Sequence, residues 1–194
     1  MAKDVWVFFN YRSPYCYLAT HRMWGIEDAH GGHLVFKPLG GWSGRSPPER
    51  AKVKMPIARQ DVRRWAKRMK VPCVPPPPTT DPTKAALAAL IAVERGLIRP
   101  YTNAVMRKEW TEGQDIGDPD VLLPVATGVG LDRAEVIAAF DDPARHAQLE
   151  ENAQLAAERG IFGVPTFLIG DEIFWGQDRI DFVEEFLDEA DVEH

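Results

Sequence analysis

At 194 residues the chain is long enough to bury one sizeable hydrophobic core, or to carry one domain with a large insertion. A hydrophobic fraction of 45% beside 27% charged residues is that of an ordinary water-soluble fold, and a net charge of −6 removes the electrostatic case for nucleic acid. The longest fully apolar run, residues 85–93, is far short of the roughly 18 residues a membrane-spanning helix needs.

Met1-Ala2-Lys3-Asp4 leads straight into an apolar run, so no secretory leader is expected and the cytoplasm is the expected compartment. Residues 5–9 (Val-Trp-Val-Phe-Phe) are apolar on both faces, as a buried central strand requires. A helix is predicted over 14–28, with Ser13 as N-cap and Pro14 at the first helical position. Gly31-Gly32 closes that unit and residues 34–39 form the next strand, giving a βαβ unit with a parallel pair. Residues 40–56, rich in Gly, Pro and basic side chains, read as a loop; 59–69 has helical periodicity. The prolines at 75–78 enforce an extended connector. Helices are then predicted over 85–95, from Pro100, from Pro119 after Asp118, after Asp132, and from Pro143 to Gly160. The first of these, apolar nearly all round, belongs at the centre of a bundle. Residues 166–169 and 172–175 form a hairpin turning at Gly170-Asp171, and 178–190 is an amphipathic helix. The order is βαβ, a helical block, then ββα. The expected organisation is an α/β domain over 1–42 and 161–194 with a helical insertion over 43–160.

Two cysteines, Cys16 and Cys73, are expected as free thiols, although a disulfide between them is open on sequence alone. The five histidines show no metal-ligand spacing, so no metal site is expected. Ser13-Pro14-Tyr15-Cys16 opens the first helix where a thioredoxin-like protein carries Cys-x-x-Cys, with serine in place of the attacking cysteine. A dithiol cycle is thereby excluded. Gly163-Val164-Pro165-Thr166 precedes the hairpin, where such a fold places a cis-proline loop opposite the helix start.

Asn10-Tyr11-Arg12-Ser13-Pro14-Tyr15-Cys16-Tyr17-Leu18-Ala19, Asp61-Val62-Arg63-Arg64-Trp65-Ala66, Gly163-Val164-Pro165-Thr166-Phe167 and the run from Gly170-Asp171-Glu172 through Gly176-Gln177-Asp178-Arg179 resemble 2-hydroxychromene-2-carboxylate isomerases. These are DsbA-like, glutathione-dependent proteins close to the kappa-class glutathione transferases. The resemblance implies a thioredoxin-like fold with a helical insertion, a homodimer, a small aromatic substrate and glutathione, or another low-molecular-weight thiol, as cofactor. Ser13 would be the catalytic hydrogen-bond donor to the thiolate sulfur, since its own hydroxyl does not ionise near neutral pH. The helix N-terminus would lower the thiol's pKa. Val164 and Pro165 would pair with the cysteinyl backbone; Gln177, Asp178 and Arg179 would meet the γ-glutamyl end. Lys54 would hold a carboxylate of cofactor or substrate, and Tyr11 and Arg45 would contact substrate. Arg45 departs from the asparagine usual in that loop, and Cys16 from a small non-thiol residue. Trp6, Trp42, Trp65 and Trp175, with Tyr11, either line an aromatic pocket or belong to the core.

Each residue also has a plainer role. Ser13 and Asp178 suit helix N-caps, Lys54 and Arg179 suit a solvated surface, and Cys16 suits a buried inert thiol. Rival functions are a kappa-like transferase that consumes glutathione, a monothiol oxidoreductase using Cys16, and a thiol-binding module without turnover.

Overall fold

The computed structural model describes residues 3–41 and 48–192. Its centre is a four-stranded sheet built from β1 (Lys3–Phe9), β2 (Gly32–Pro38), β3 (Thr166–Ile169) and β4 (Glu172–Trp175), in the order β2-β1-β3-β4. β1 runs parallel to β2, with Val7 opposite Phe36, and antiparallel to β3, with Val7 opposite Phe167. β3 turns back into β4 through Gly170-Asp171, so Ile169 faces Glu172. These pairings bring the end of β1, the end of β2 and the start of β3 to one edge of the sheet. The functional loops lie there.

The two-faced apolarity of β1 is used in full. Val5, Val7 and Phe9 are buried on one face with Cys16, Leu18, Ile180 and Val183, while Phe8 is buried on the other with Leu39, Ala156 and Leu168. The first face is covered by α1 (Pro14–Thr20), α2 (Gly25–Asp28) and α9 (Ile180–Val192), the second by α8 (Pro143–Glu158). Between β2 and α8 lie α3 (Pro48–Met69), α4 (Thr83–Glu94), α5 (Ile98–Met106), α6 (Pro119–Gly128) and α7 (Arg133–Ala139). One buried cluster runs from Val5 and Phe167 in the sheet to Ala88, Tyr101 and Leu122 in these helices. α4 is enclosed on all sides from Ala85 to Ala92, as its uniformly apolar sequence requires.

The aspartate caps form as their positions predict: Asp118, Asp132 and Asp142 each accept a hydrogen bond from a backbone N–H of the first turn, at 2.9, 2.8 and 2.9 Å. The 14–28 helix is instead two helices, separated by a turn at 21–24. Thr20, whose hydroxyl donates to the Tyr17 carbonyl at 2.7 Å, ends the first by competing with the helical ladder. The 40–56 loop is also too long, because α3 already begins at Pro48 and runs through Pro56. Residues 52–57 are exposed, so the carbonyl that Pro56 leaves without a donor faces water. α5 starts two residues before Pro100, and a 3-10 turn (Gln177–Arg179) precedes α9. No helix among the described residues is long and apolar enough to cross a membrane.

Candidate active site

Ser13 is the N-cap of α1. Its backbone is extended, and its Oγ accepts a hydrogen bond from the Cys16 N–H at 3.3 Å. The preceding turn is held by Asn10: its Oδ1 accepts from the Arg12 N–H at 2.9 Å, its carbonyl from the Ser13 N–H at 3.0 Å, and its Nδ2 donates to the Leu39 carbonyl at 3.3 Å. Pro14 at the first helical position has no N–H to satisfy. Ser13 is half-exposed at the positive end of the helix dipole.

Facing it is the Val164–Pro165 peptide, which is cis. The Ser13 hydroxyl donates to the Val164 carbonyl at 3.3 Å, which joins two segments 151 residues apart in the chain. The loop is fixed from behind: Thr166 Oγ1 donates to the Gly163 carbonyl at 2.8 Å, and Gly176 N–H to the Pro165 carbonyl at 2.9 Å. Glycine is required at 163, where a Cβ would come within 2.6 Å of Trp175 Nε1. It is required also at 176, whose φ is +113° and where a Cβ would meet Asp178 Oδ1 at 2.5 Å.

Just beyond that turn, Gln177 is buried and its Oε1 has no hydrogen-bond partner among the described residues. Asp178 and Arg179 are exposed and form a loose pair at 3.7 Å. Tyr15, in the first turn of α1, donates its hydroxyl to Asp61 Oδ2 of α3 at 2.9 Å. Burial first, then the Asp61 hydrogen bond and the charges of Asp61 and Asp178, raise the Tyr15 pKa, and the 3-10 turn that carries Asp178 (Gln177–Arg179) packs against α1. Lys54 lies seven residues before Asp61, two turns along the same face of α3, and is exposed.

The structure thus brings Ser13, Val164, Pro165, Gln177 and Asp178 to one edge of the sheet. It does not bring Tyr11 to the surface. The Tyr11 side chain is fully buried, its hydroxyl hydrogen-bonds Thr102 at 2.9 Å, and its ring packs on Phe9 and Tyr101, so the expected substrate contact is corrected to a core role. Arg45 and Trp42 lie outside the described residues. Trp6 and Trp65 are half-buried, and Trp175 is exposed against Phe162.

Cys16 and Cys73 are both free thiols. Cys16 is fully enclosed, and burial pushes its pKa up to about 12 against weaker help from the Asn10 backbone and Ser13. Alkylation of the native protein followed by mass spectrometry is expected to label half-buried Cys73 and spare Cys16 until the chain is unfolded; labelling of Cys16 at the rate of Cys73 would revive a monothiol exchange activity. Among the described residues no group of three or more His, Cys, Asp or Glu side chains could hold a metal.

Two residues here carry no sequence signal. Arg12, next to Ser13, donates to the Pro77 carbonyl at 3.2 Å and lies over the Trp110 ring at 5.6 Å. Its partner Glu109, at 3.8 Å, is fully buried within a π-helical turn (Arg107–Thr111), and neither carboxylate oxygen has a hydrogen-bond partner among the described residues.

The DSBA-like thioredoxin domain model matches residues 4–188. A 2-hydroxychromene-2-carboxylate isomerase of Sphingobium xenophagum is 29% identical over 96% of this chain and 99% of its own length, and one of Pseudomonas putida is 26% identical over 91% and 90%. Among solved structures, a 2-hydroxychromene-2-carboxylate isomerase superposes with a TM-score of 0.84 at 25% identity, covering 96% of this chain and 95% of that one. The cytosolic disulfide reductase DsbM of Pseudomonas aeruginosa with GSH has the same fold, with a TM-score of 0.73 at 19% identity over 98% and 100% of the two chains. The chain belongs to the DSBA-like thioredoxin domain family.

Proposed function

We propose that this chain is an isomerase, like its 2-hydroxychromene-2-carboxylate isomerase relatives, and that it works on a small aromatic 2-hydroxychromene-2-carboxylate with glutathione as a cofactor that is not consumed. The observation that carries the mechanism is the Ser13–Val164 pair: a hydroxyl donor at a helix N-terminus, directly opposite a backbone carbonyl of a cis-proline loop. A bound thiol fits these residues. The orphaned Gln177 Oε1 and the exposed Asp178 carboxylate accept hydrogen bonds, as the γ-glutamyl ammonium and amide would require. Lys54 suits a carboxylate of the cofactor or the substrate, and Arg179 a second one.

Bound here, glutathione would supply a nucleophilic thiolate for reversible addition to the unsaturated substrate, which allows bond rotation before the thiol is eliminated unchanged. Ser13 would turn its hydroxyl from Val164 to the sulfur and hold it at the positive end of α1. The Val164 carbonyl, released, would be free to accept a backbone N–H of the bound thiol peptide and so help to hold it. The buried, protonated Cys16 takes no part. A transferase shares the sulfur site and differs in its product, a stable thioether; an oxidoreductase needs the thiol that burial has silenced.

The test follows conversion of 2-hydroxychromene-2-carboxylate to trans-o-hydroxybenzylidenepyruvate with and without glutathione. Turnover that is absent without the thiol, at constant total glutathione, is the expected result; thiol-independent turnover, or loss of free thiol with each turnover, overturns it. Asp178→Asn is expected to weaken glutathione binding by roughly tenfold or more, the value of one charge-assisted hydrogen bond, as measured by titration calorimetry.

A further inference from the structure

Three parts of the site converge on a hydrogen bond that the thiol chemistry does not use. Tyr15 stands two residues after Ser13 in the first turn of α1; its half-buried ring packs against the main core and its hydroxyl donates to Asp61 Oδ2 at 2.9 Å. The 3-10 turn bearing Asp178 packs on the same helix, and the Asp178 charge reaches the Tyr15 hydroxyl. Burial and the two carboxylates keep that hydroxyl protonated at neutral pH, so it remains a donor to Asp61.

Asp61 also marks the place where α3 leaves the body of the fold. C-terminal to it, Val62 and Ala66 are buried and Trp65 and Met69 pack against the core, whereas residues 52–57, N-terminal to it, are all exposed. Lys54, seven residues before Asp61, lies about 10 Å further along the helix axis. A tilt of about 10° at Asp61 would carry Lys54 by about 2 Å, enough to break a hydrogen bond. We propose that Tyr15 and Asp61 are positioning residues: their hydrogen bond pins α3 to the helix that carries Ser13, and so sets Lys54 at a fixed distance from the sulfur to take a carboxylate of glutathione or of the substrate. The inference rests on the thiol-dependent isomerase assigned above.

The test compares Tyr15→Phe, Asp61→Ala, Asp61→Asn and Lys54→Met in the full chain, with glutathione and 2-hydroxychromene-2-carboxylate varied in turn. Lys54→Met identifies the carboxylate by which of the two KM values it raises. Tyr15→Phe and Asp61→Ala are expected to raise that same KM about fivefold and to change kcat by less than about twofold, the split produced by a displaced binding group. Asp61→Asn keeps an oxygen for the Tyr15 hydroxyl and is expected to recover most of the loss. Tyr15→Phe added to Lys54→Met is expected to change KM no further, because the tie acts through the lysine. Unchanged KM in Tyr15→Phe, a rise in the other KM, additivity with Lys54→Met, Asp61→Asn as impaired as Asp61→Ala, or a Lys54→Met that raises neither KM overturns the proposal. Hydrogen exchange reads the tie without turnover: amides of residues 52–60 are expected to exchange about fivefold faster in Tyr15→Phe with Tm little changed, and equal exchange overturns it. Faster exchange there in a protein that neither binds nor uses glutathione would instead overturn the thiol reading and leave the tie between α1 and α3 standing.

Discussion

Ser13→Ala is expected to lower kcat/KM for the isomerisation by roughly 10²–10³, the usual cost of removing one preorganised hydrogen-bond donor from a developing or resident negative charge. Ser13 also caps α1, accepting from the Cys16 N–H, so alanine costs about 1 kcal/mol of stability as well. The two losses separate with a second substitution. Ser13→Asp keeps an acceptor for the cap and takes away the hydroxyl donor, while placing a carboxylate beside the sulfur. It is expected to melt near the wild type and to be at least as inactive as Ser13→Ala. A stable, active Ser13→Asp would reduce Ser13 to a cap. The thiolate itself gives an independent readout. Ultraviolet titration of bound glutathione is expected to show a higher sulfur pKa in Ser13→Ala than in the wild type, because only the helix N-terminus remains to stabilise the anion.

The extent to which this site was legible depended on how local each signal was. Asp118, Asp132 and Asp142 announce their helices because a cap is a contact between residues two or three apart. The hairpin at Gly170-Asp171 and the N-cap at Ser13 are equally local. Tyr11 was misread because an aromatic residue beside a functional motif has the same composition whether it lines a pocket or fills the core; the deciding contact, with Thr102, is 91 residues away. α3 begins earlier than composition suggests because Pro48 is acceptable in a first helical turn and Pro56 faces water, where its missing hydrogen bond costs least. Gln177 looks like a surface glutamine at a turn, and its burial depends on neighbours that the local sequence does not contain.

Glu109 is the sharpest case of this kind, since Arg-Lys-Glu-Trp-Thr has the look of a solvated helix face. The π-helical turn inserts an extra residue into the helical repeat, closed by the Glu112 N–H donating to the Arg107 carbonyl at 3.0 Å. Glu109 continues the buried stripe of α5, four residues after Val105 and three after Met106, and helical spacing so carries it beneath the Ser13 loop.

Arg12→Met is expected to destabilise the protein in a pH-dependent way. In the native chain burial raises the Glu109 pKa well above the ordinary carboxyl range, while Arg12 opposes the shift. A carboxyl whose folded pKa is raised contributes stability that is fully present below its unfolded pKa, about 4.3, and lost as pH rises toward the folded value. Removing Arg12 takes away the cation at 3.8 Å and pushes the folded pKa higher still, so this loss extends further up the pH scale. At pH 5 the expected cost is near 1 kcal/mol, mainly the hydrogen bond to the Pro77 carbonyl. As pH rises between the folded pKa of the wild type and that of the variant, the cost should grow by up to about 1.4 kcal/mol per pH unit, because Glu109 can ionise beside Arg12 in the wild type and stays protonated in the variant. Glu109→Gln removes the titrating group, so the double variant should recover most of the pH 8 loss and flatten the profile. Urea unfolding of the four proteins at pH 5 and pH 8 makes a double-mutant cycle with a coupling energy that grows with pH. Additive effects, or a cost for Arg12→Met that does not change between the two pH values, would show that Glu109 is held by its packing and does not feel the guanidinium. The cycle also bears on the site, because the same guanidinium fixes the residue that leads into Ser13. A loop freed from Pro77 and Glu109 is expected to raise KM for glutathione even at pH 5, where the stability cost is small.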